Sequence, residues 1–356
     1  MTVLSPTPLP PPTGSPKPSG ARRVGLALGS GGARGYAHIG VIEVLEERGF
    51  EIAGVAGSSM GAVVGGLYCA GQLDRYTEWV GDLSQLDVLR LLDVSLSAPG
   101  AFRAERILAR LRTLVGSVAI EDLPVPFTAV ATDLLARKAV WFRRGPLDIA
   151  LRASMAIPGV FTPVVLGGRL LVDGGLMEPV PVAPISSADA DATIAVDLGG
   201  ERVGTSGVVS PLDALADPSP VDEWLERFRG GAARLLDREM IRSLATRLGR
   251  APGFGADQDE EEENEEEEEE KGTPTEPSPA DLPTSLRALD VMSQSIEAMH
   301  AALTRVRLAE NPPDVLITVP RDACRSRDFH RSRELIGLGR ILAAEALDAA
   351  GLTAAR

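Results

Sequence analysis

The chain has 356 residues, of which 44% are hydrophobic and 24% charged, and its 36 basic and 50 acidic side chains give a formal charge of −14. These figures exclude a wholly disordered chain and a small disulfide-stapled scaffold, and they allow one large domain or two ordinary ones. The charge is concentrated: residues 257–271 hold twelve acids and one base, net −11, which leaves the rest of the chain at −3. Such a run repels itself and reads as a flexible acidic linker whose partner is unknown. Cys69 and Cys324 show no metal spacing and read as free buried thiols of a reducing compartment.

In chain order, residues 1–22 read as a disordered, proline-rich tail. With no apolar core behind basic residues, it is not a signal peptide. RVGLALG, from Arg23, predicts a strand, followed by the loop SGGARG and the helix AHIGVIEVLEERGF, with Gly49 as its C-terminal stop. The uncharged stretch from Ile52 to Leu73 is long enough to cross a bilayer, but it carries six glycines and divides in two. Its first half reads as a strand and its second as a buried, small-residue helix from Met60. Further strands are predicted at FTAVATDL, KAVWFRRG, around VLGGRLLVDGG, at ATIAVDLG and at DVLITVP. Helices are predicted near 103–115, 146–156, 284–308 and 329–350. This alternation points to an α/β fold with a mainly parallel sheet. Residues 203–283 break the alternation and read as an insertion into one domain spanning 23–350. Residence is expected in the cytoplasm, with peripheral membrane contact as an option and no nucleic-acid partner.

Three short motifs carry chemistry. Gly57-Ser58-Ser59-Met60-Gly61 is a G-x-S-x-G at a strand-to-helix junction. A nucleophilic serine there needs a tight turn, and glycines at 57 and 61 remove the Cβ atoms that would crowd it. The helix that follows favours negative charge at Ser59. Gly31-Gly32-Ala33-Arg34-Gly35 lies in a second strand-to-helix loop, where backbone N–H groups form an anion site. It fits neither nucleotide-binding template, since no G-x-x-x-x-G-K-[ST] is present and G-x-G-x-x-G breaks at Arg34. An oxyanion hole, a phosphate cradle and a plain tight turn remain open for it. Asp173-Gly174-Gly175 ends an apolar strand and reads either as an aspartate reaching a neighbouring loop or as a simple turn. Only three histidines are present, His38, His300 and His330, and none sits in the strand-end loop that suits a triad histidine.

Together GSGGARG, GSSMG and DGG, in this order, resemble the patatin-like phospholipases, most of all the bacterial members related to the catalytic domain of neuropathy target esterase. AHIGVIEVLEERGF, LRASMAIPGVFTPV and DVLITVP with RSRELIGLGRILAAEAL support the resemblance, which covers about 23–200 and 284–350. It implies a three-layer α/β/α fold and a serine lipid acyl hydrolase working through a Ser–Asp dyad and an acyl-enzyme. Ser59 then takes the place of the nucleophile and Asp173 that of its partner, with Gly31, Gly32, Ala33, Arg34 and Gly35 as the oxyanion hole. No metal or cofactor is implied, and the substrate is a lipid or acyl ester. One departure is Glu178-Pro179 where many members have Asn-Pro. The alternative is a catalytically quiet regulatory or adaptor protein on the same fold. The basicity of Asp173 is the weak point of the dyad: a free aspartate titrates near 3.9, and only an apolar setting, such as Leu170, Leu171 and Val172 would supply, raises it. Arg321, Arg325, Arg327, Arg331 and Arg333 form either a head-group contact or a solvated helix face.

Overall fold

Five parallel strands form the centre of the molecule: β1 (Arg23–Leu28), β2 (Glu51–Ser58), β3 (Phe127–Asp133), β7 (Ala192–Gly200) and β8 (Val315–Pro320). They lie in the order β3-β2-β1-β7-β8. The computed structural model describes residues 22–91, 105–158, 160–186, 188–200, 288–325 and 327–352. The chain divides into two compact units, Met1–Gly204 with Gln294–Arg356, and Thr205–Ser293. The whole of the expected 203–283 insertion with its acidic run, and the tail before residue 22, lie outside the described residues.

Parallel sheets are covered on both faces, which is why these strands read as continuous apolar runs. One face carries Leu26, Leu28, Val55, Ile194 and Val196. On it pack α1 (Ala37–Glu47), α2 (Met60–Cys69), α6 (Leu147–Ser154) and α8 (Ser332–Ala349), through Ile39, Ile42, Leu67, Leu151 and Leu335 among others. The opposite face is paved with small residues, Ala27, Ala56 and Ala195. Their size lets Val180, Val182 and Ile185 lie flat against the strands, with Leu308 of α7 (Ala288–Glu310) beside them. The result is the three-layer α/β/α arrangement expected from the sequence.

Among the described residues the structure adds two helices that the apolar pattern did not show, α3 (Leu73–Gly81) and α4 (Gln85–Leu91); α5 (Glu105–Val115) falls where a helix was expected. It also splits one expected strand. VLGGRLLVDGG is a hairpin of β5 (Val164–Leu166) and β6 (Arg169–Asp173), because Gly167 and Gly168 turn the chain at φ 56 and 76. KAVWFRRG supplies β4 (Lys138–Phe142), antiparallel to β3. The uncharged 52–73 stretch is β2 followed by α2, and no helix among the described residues is long and apolar enough to cross a membrane.

Candidate active site

Two strands meet head-on beside β3. β2 pairs with Phe127–Val130 of β3, and β6 pairs antiparallel with Ala131–Asp133. β4 spans 129–133 and so occupies the other edge. β2 and β6 therefore share one edge of β3 and approach each other along it. The last residue of β2, Ser58, sits opposite Val130; the last residue of β6, Asp173, sits opposite Ala131. Register alone thus brings Ser59 and Asp173 together, although they lie far apart in the sequence.

Ser59 links β2 to α2 with φ 54 and ψ −120. A non-glycine residue in that region carries strain of about 1–3 kcal/mol and persists only where its surroundings fix it. They do so at three points. A Cβ on Gly57 would run into the Gly61 carbonyl, and one on Gly61 into the Leu28 carbonyl, so both turns of chain can close. The Ser59 N–H donates to Ser154 Oγ at 2.9 Å, and that hydroxyl donates to the Val130 carbonyl at 2.6 Å. Ser58 Oγ donates to the Glu178 carbonyl at 2.6 Å, tying the Ser59 turn to the segment behind Asp173.

Asp173 is 5% exposed and Ser59 4%, so both side chains are buried. Asp173 Oδ1 accepts from the Gly175 N–H at 2.7 Å. Its Oδ2 is buried without a closed hydrogen bond, yet the Ser59 hydroxyl lies near enough to favour the charged carboxylate. Burial outweighs this and the Gly175 contact, and pushes the Asp173 pKa up to about 6. Leu171 and Val172, both buried, form the apolar strand that precedes it.

The glycine-rich loop follows β1. The N–H groups of Gly29 and Ser30 are spent on the Val196 and Pro179 carbonyls. Gly31 then caps a 3-10 helix, Gly32–Tyr36. The first N–H groups of a helix have no partner within it, and here those groups belong to Gly31, Gly32 and Ala33. The loop touches both sides of the pair: a Cβ on Gly35 would strike the Met60 side chain, and one on Gly175 would meet Ser30 Oγ at 2.5 Å. Arg34 is buried, and its guanidinium donates to the Gly31 carbonyl at 3.3 Å and the Arg321 carbonyl at 2.9 Å, so it braces the loop from within.

His38 is fully buried on α1, and its Nε2 donates to the Gly29 carbonyl at 2.8 Å. Burial holds its pKa down to about 4, so the ring is neutral and bound to the loop's backbone. His300 lies on α7 and His330 in the 3-10 turn Phe329–Arg331. Glu178 is buried, with its carboxylate accepting from Trp141 Nε1 at 3.1 Å, and burial raises its pKa. Of the C-terminal arginines, Arg331 pairs with Glu334 and Asp328, and Arg333 with Asp82. Both cysteines are free and buried. Sequence reasoning did not single out Ser58 or Ser154. The only available signal was Ser154's place in LRASMAIPG, because its two partners come from other parts of the chain.

The patatin-like phospholipase family profile matches residues 26–185. The chain is 51% identical over 341 residues to an uncharacterized NTE family protein of Mycobacterium bovis, covering 93% of each. It is 32% identical to the neuropathy target esterase sws of Drosophila melanogaster over 50% of this chain and 13% of that one. It is also 32% identical to a lysophospholipase of Emericella nidulans over 50% of this chain and 12% of that one.

Proposed function

The chain belongs to the patatin-like phospholipases, in the NTE family, and on that premise we propose that it is a serine lipid acyl hydrolase using Ser59 and Asp173. One observation carries the reading: a strained serine at a strand-to-helix turn meets a buried carboxylate of raised pKa at the end of the opposing strand. Asp173 takes the proton from Ser59 as Oγ attacks the ester carbonyl. The N–H groups at Gly31 to Ala33 stabilise the oxyanion, while Arg34 and His38 hold the loop that carries them. The alcohol leaves with the proton. Water, activated by Asp173, then releases the acyl group from Ser59. The substrate is a fatty-acyl ester, with phospholipids and lysophospholipids as the first candidates from the family and from the lysophospholipase relative.

Fluorophosphonate labelling with mass mapping tests this. The expected adduct sits on Ser59, is absent in Ser59→Ala, and forms about 10²–10⁴-fold more slowly in Asp173→Asn, the range of a lost general base. An unlabelled, folded wild type would overturn the reading and favour the adaptor alternative.

A further inference from the structure

Two hairpin tips stand side by side beyond the paired ends of β2 and β6. β3 runs on past Ala131, the partner of Asp173, and turns at 134–137 into β4. β5 rises alongside and turns at Gly167–Gly168 into β6. The Leu134 N–H donates to the Leu170 carbonyl at 2.9 Å, and Arg169 lies 3.9 Å from Asp133, so the tips form one body. Leu134 is three residues past the level of Asp173, which is about 10 Å at the rise of a strand.

These tips are apolar and open to solvent. Leu134, Leu135, Val165 and Leu166 are 46%, 70%, 75% and 40% exposed. Single exposed apolar residues are ordinary, but a contiguous set marks a binding surface. The charge around them runs against that of the whole chain. The turns with their flanking residues, 133–138 and 165–170, hold Arg137, Lys138 and Arg169 against Asp133, net +2, in a chain of −14. Arg137, Lys138 and Arg169 are exposed at the tips themselves. A second copy of this surface would be repelled by the same charge, whereas an anionic lipid surface offers both an apolar interior and negative head groups.

We propose that the paired tips dock the protein on an anionic lipid bilayer. The four apolar side chains enter the boundary between head groups and acyl chains, and Arg137, Lys138 and Arg169 meet the phosphates. The inference rests on the lipid-hydrolase reading for its purpose, since docking sets Ser59 about a nanometre from its substrate, but not for its observations.

The test is flotation with phosphatidylcholine vesicles, with and without phosphatidylglycerol, alongside turnover of a short-chain soluble ester. Wild type is expected to float with the phosphatidylglycerol vesicles. Leu135→Asp with Val165→Asp is expected to weaken that binding at least about tenfold at every salt concentration, from the lost apolar insertion. Arg137→Glu with Lys138→Glu is expected to weaken it at low salt and to lose its effect near 1 M, where charges are screened within about 3 Å. Both pairs are exposed, so melting curves and soluble-ester turnover stay within about twofold of wild type. The proposal is overturned if both variants float like wild type. It is also overturned if the aspartate pair changes only the oligomeric state in sedimentation, which would make the tips a contact between copies. Turnover without flotation sinks the docking surface alone; flotation with the expected variant pattern but without turnover sinks the hydrolase reading alone.

Discussion

Asp173 carries a cost that the proposed role of base requires. Its carboxyl has a pKa of about 6 when folded against a reference of 3.8, with burial as the main cause. The folded state therefore holds this proton more tightly than the unfolded state does. Stability from this group is fully present below about pH 3.8 and is lost as pH rises through 6; above that the buried carboxylate costs about 3 kcal/mol. Asp173→Asn is expected to stabilise the protein by about 1–3 kcal/mol at pH 8 while slowing labelling of Ser59 as predicted above. Urea melts should show the gain at pH 8 shrinking to nothing near pH 4. In the proposed mechanism the same pKa sets the activity profile: turnover of a soluble ester should inflect near pH 6 and fall about tenfold per unit below it. His38, held neutral by burial, adds no inflection above pH 4. Ser59 and Asp173 were legible in the sequence because their glycine surroundings announce a tight turn and a strand end. Ser154 was not, because a serine closing a helix looks ordinary until its partners at Ser59 and Val130 arrive from elsewhere.

At the scale of elements, α1 and α8 cross with their backbones in contact. A Cβ on Gly40 would strike the Ile336 carbonyl, and one on Gly339 the Ala37 carbonyl. Because these obstacles are backbone, they cannot move aside as a side chain would. Gly339→Ala is expected to destabilise the fold by about 1–3 kcal/mol or more, read as a lower midpoint in urea. It should also slow fluorophosphonate labelling, because α1 carries His38 and His38 holds the Gly29 carbonyl at the root of the glycine-rich loop. Arg340→Ala on the same helix removes exposed contacts to Glu43 and Glu47 and should cost no more than about 1 kcal/mol. Periodicity in the sequence showed both helices, but not their crossing. That depends on glycines near opposite ends of the chain, each unremarkable in its own helix.

Across the whole molecule, charge is divided between a strongly acidic run and a basic rim. Residues 257–271 carry −11, whereas the hairpin tips at 133–138 and 165–170 carry +2. An anionic vesicle would repel the first and attract the second. Deleting 257–271 should therefore tighten vesicle binding at low salt and leave it unchanged near 1 M, as flotation would show. This imbalance was visible in the sequence, and so was the α/β class, from its alternating strands and helices. The reversal of direction at β6 was not, because VLGGRLLV is as apolar as a buried parallel strand and only its glycine turn folds it back. That reversal has a further consequence. Ser59 and Asp173 are both measured against β3, as two marks on one ruler. Chain inserted in the loops on either side of β3 leaves their spacing untouched, whereas one residue added between Val130 and Ala131 would move the marks apart and turn one to the other face. The same ruler sets the order of assembly in refolding: β3 must have taken both neighbours before Ser59 meets Asp173, so fluorophosphonate labelling should return only after the sheet is whole.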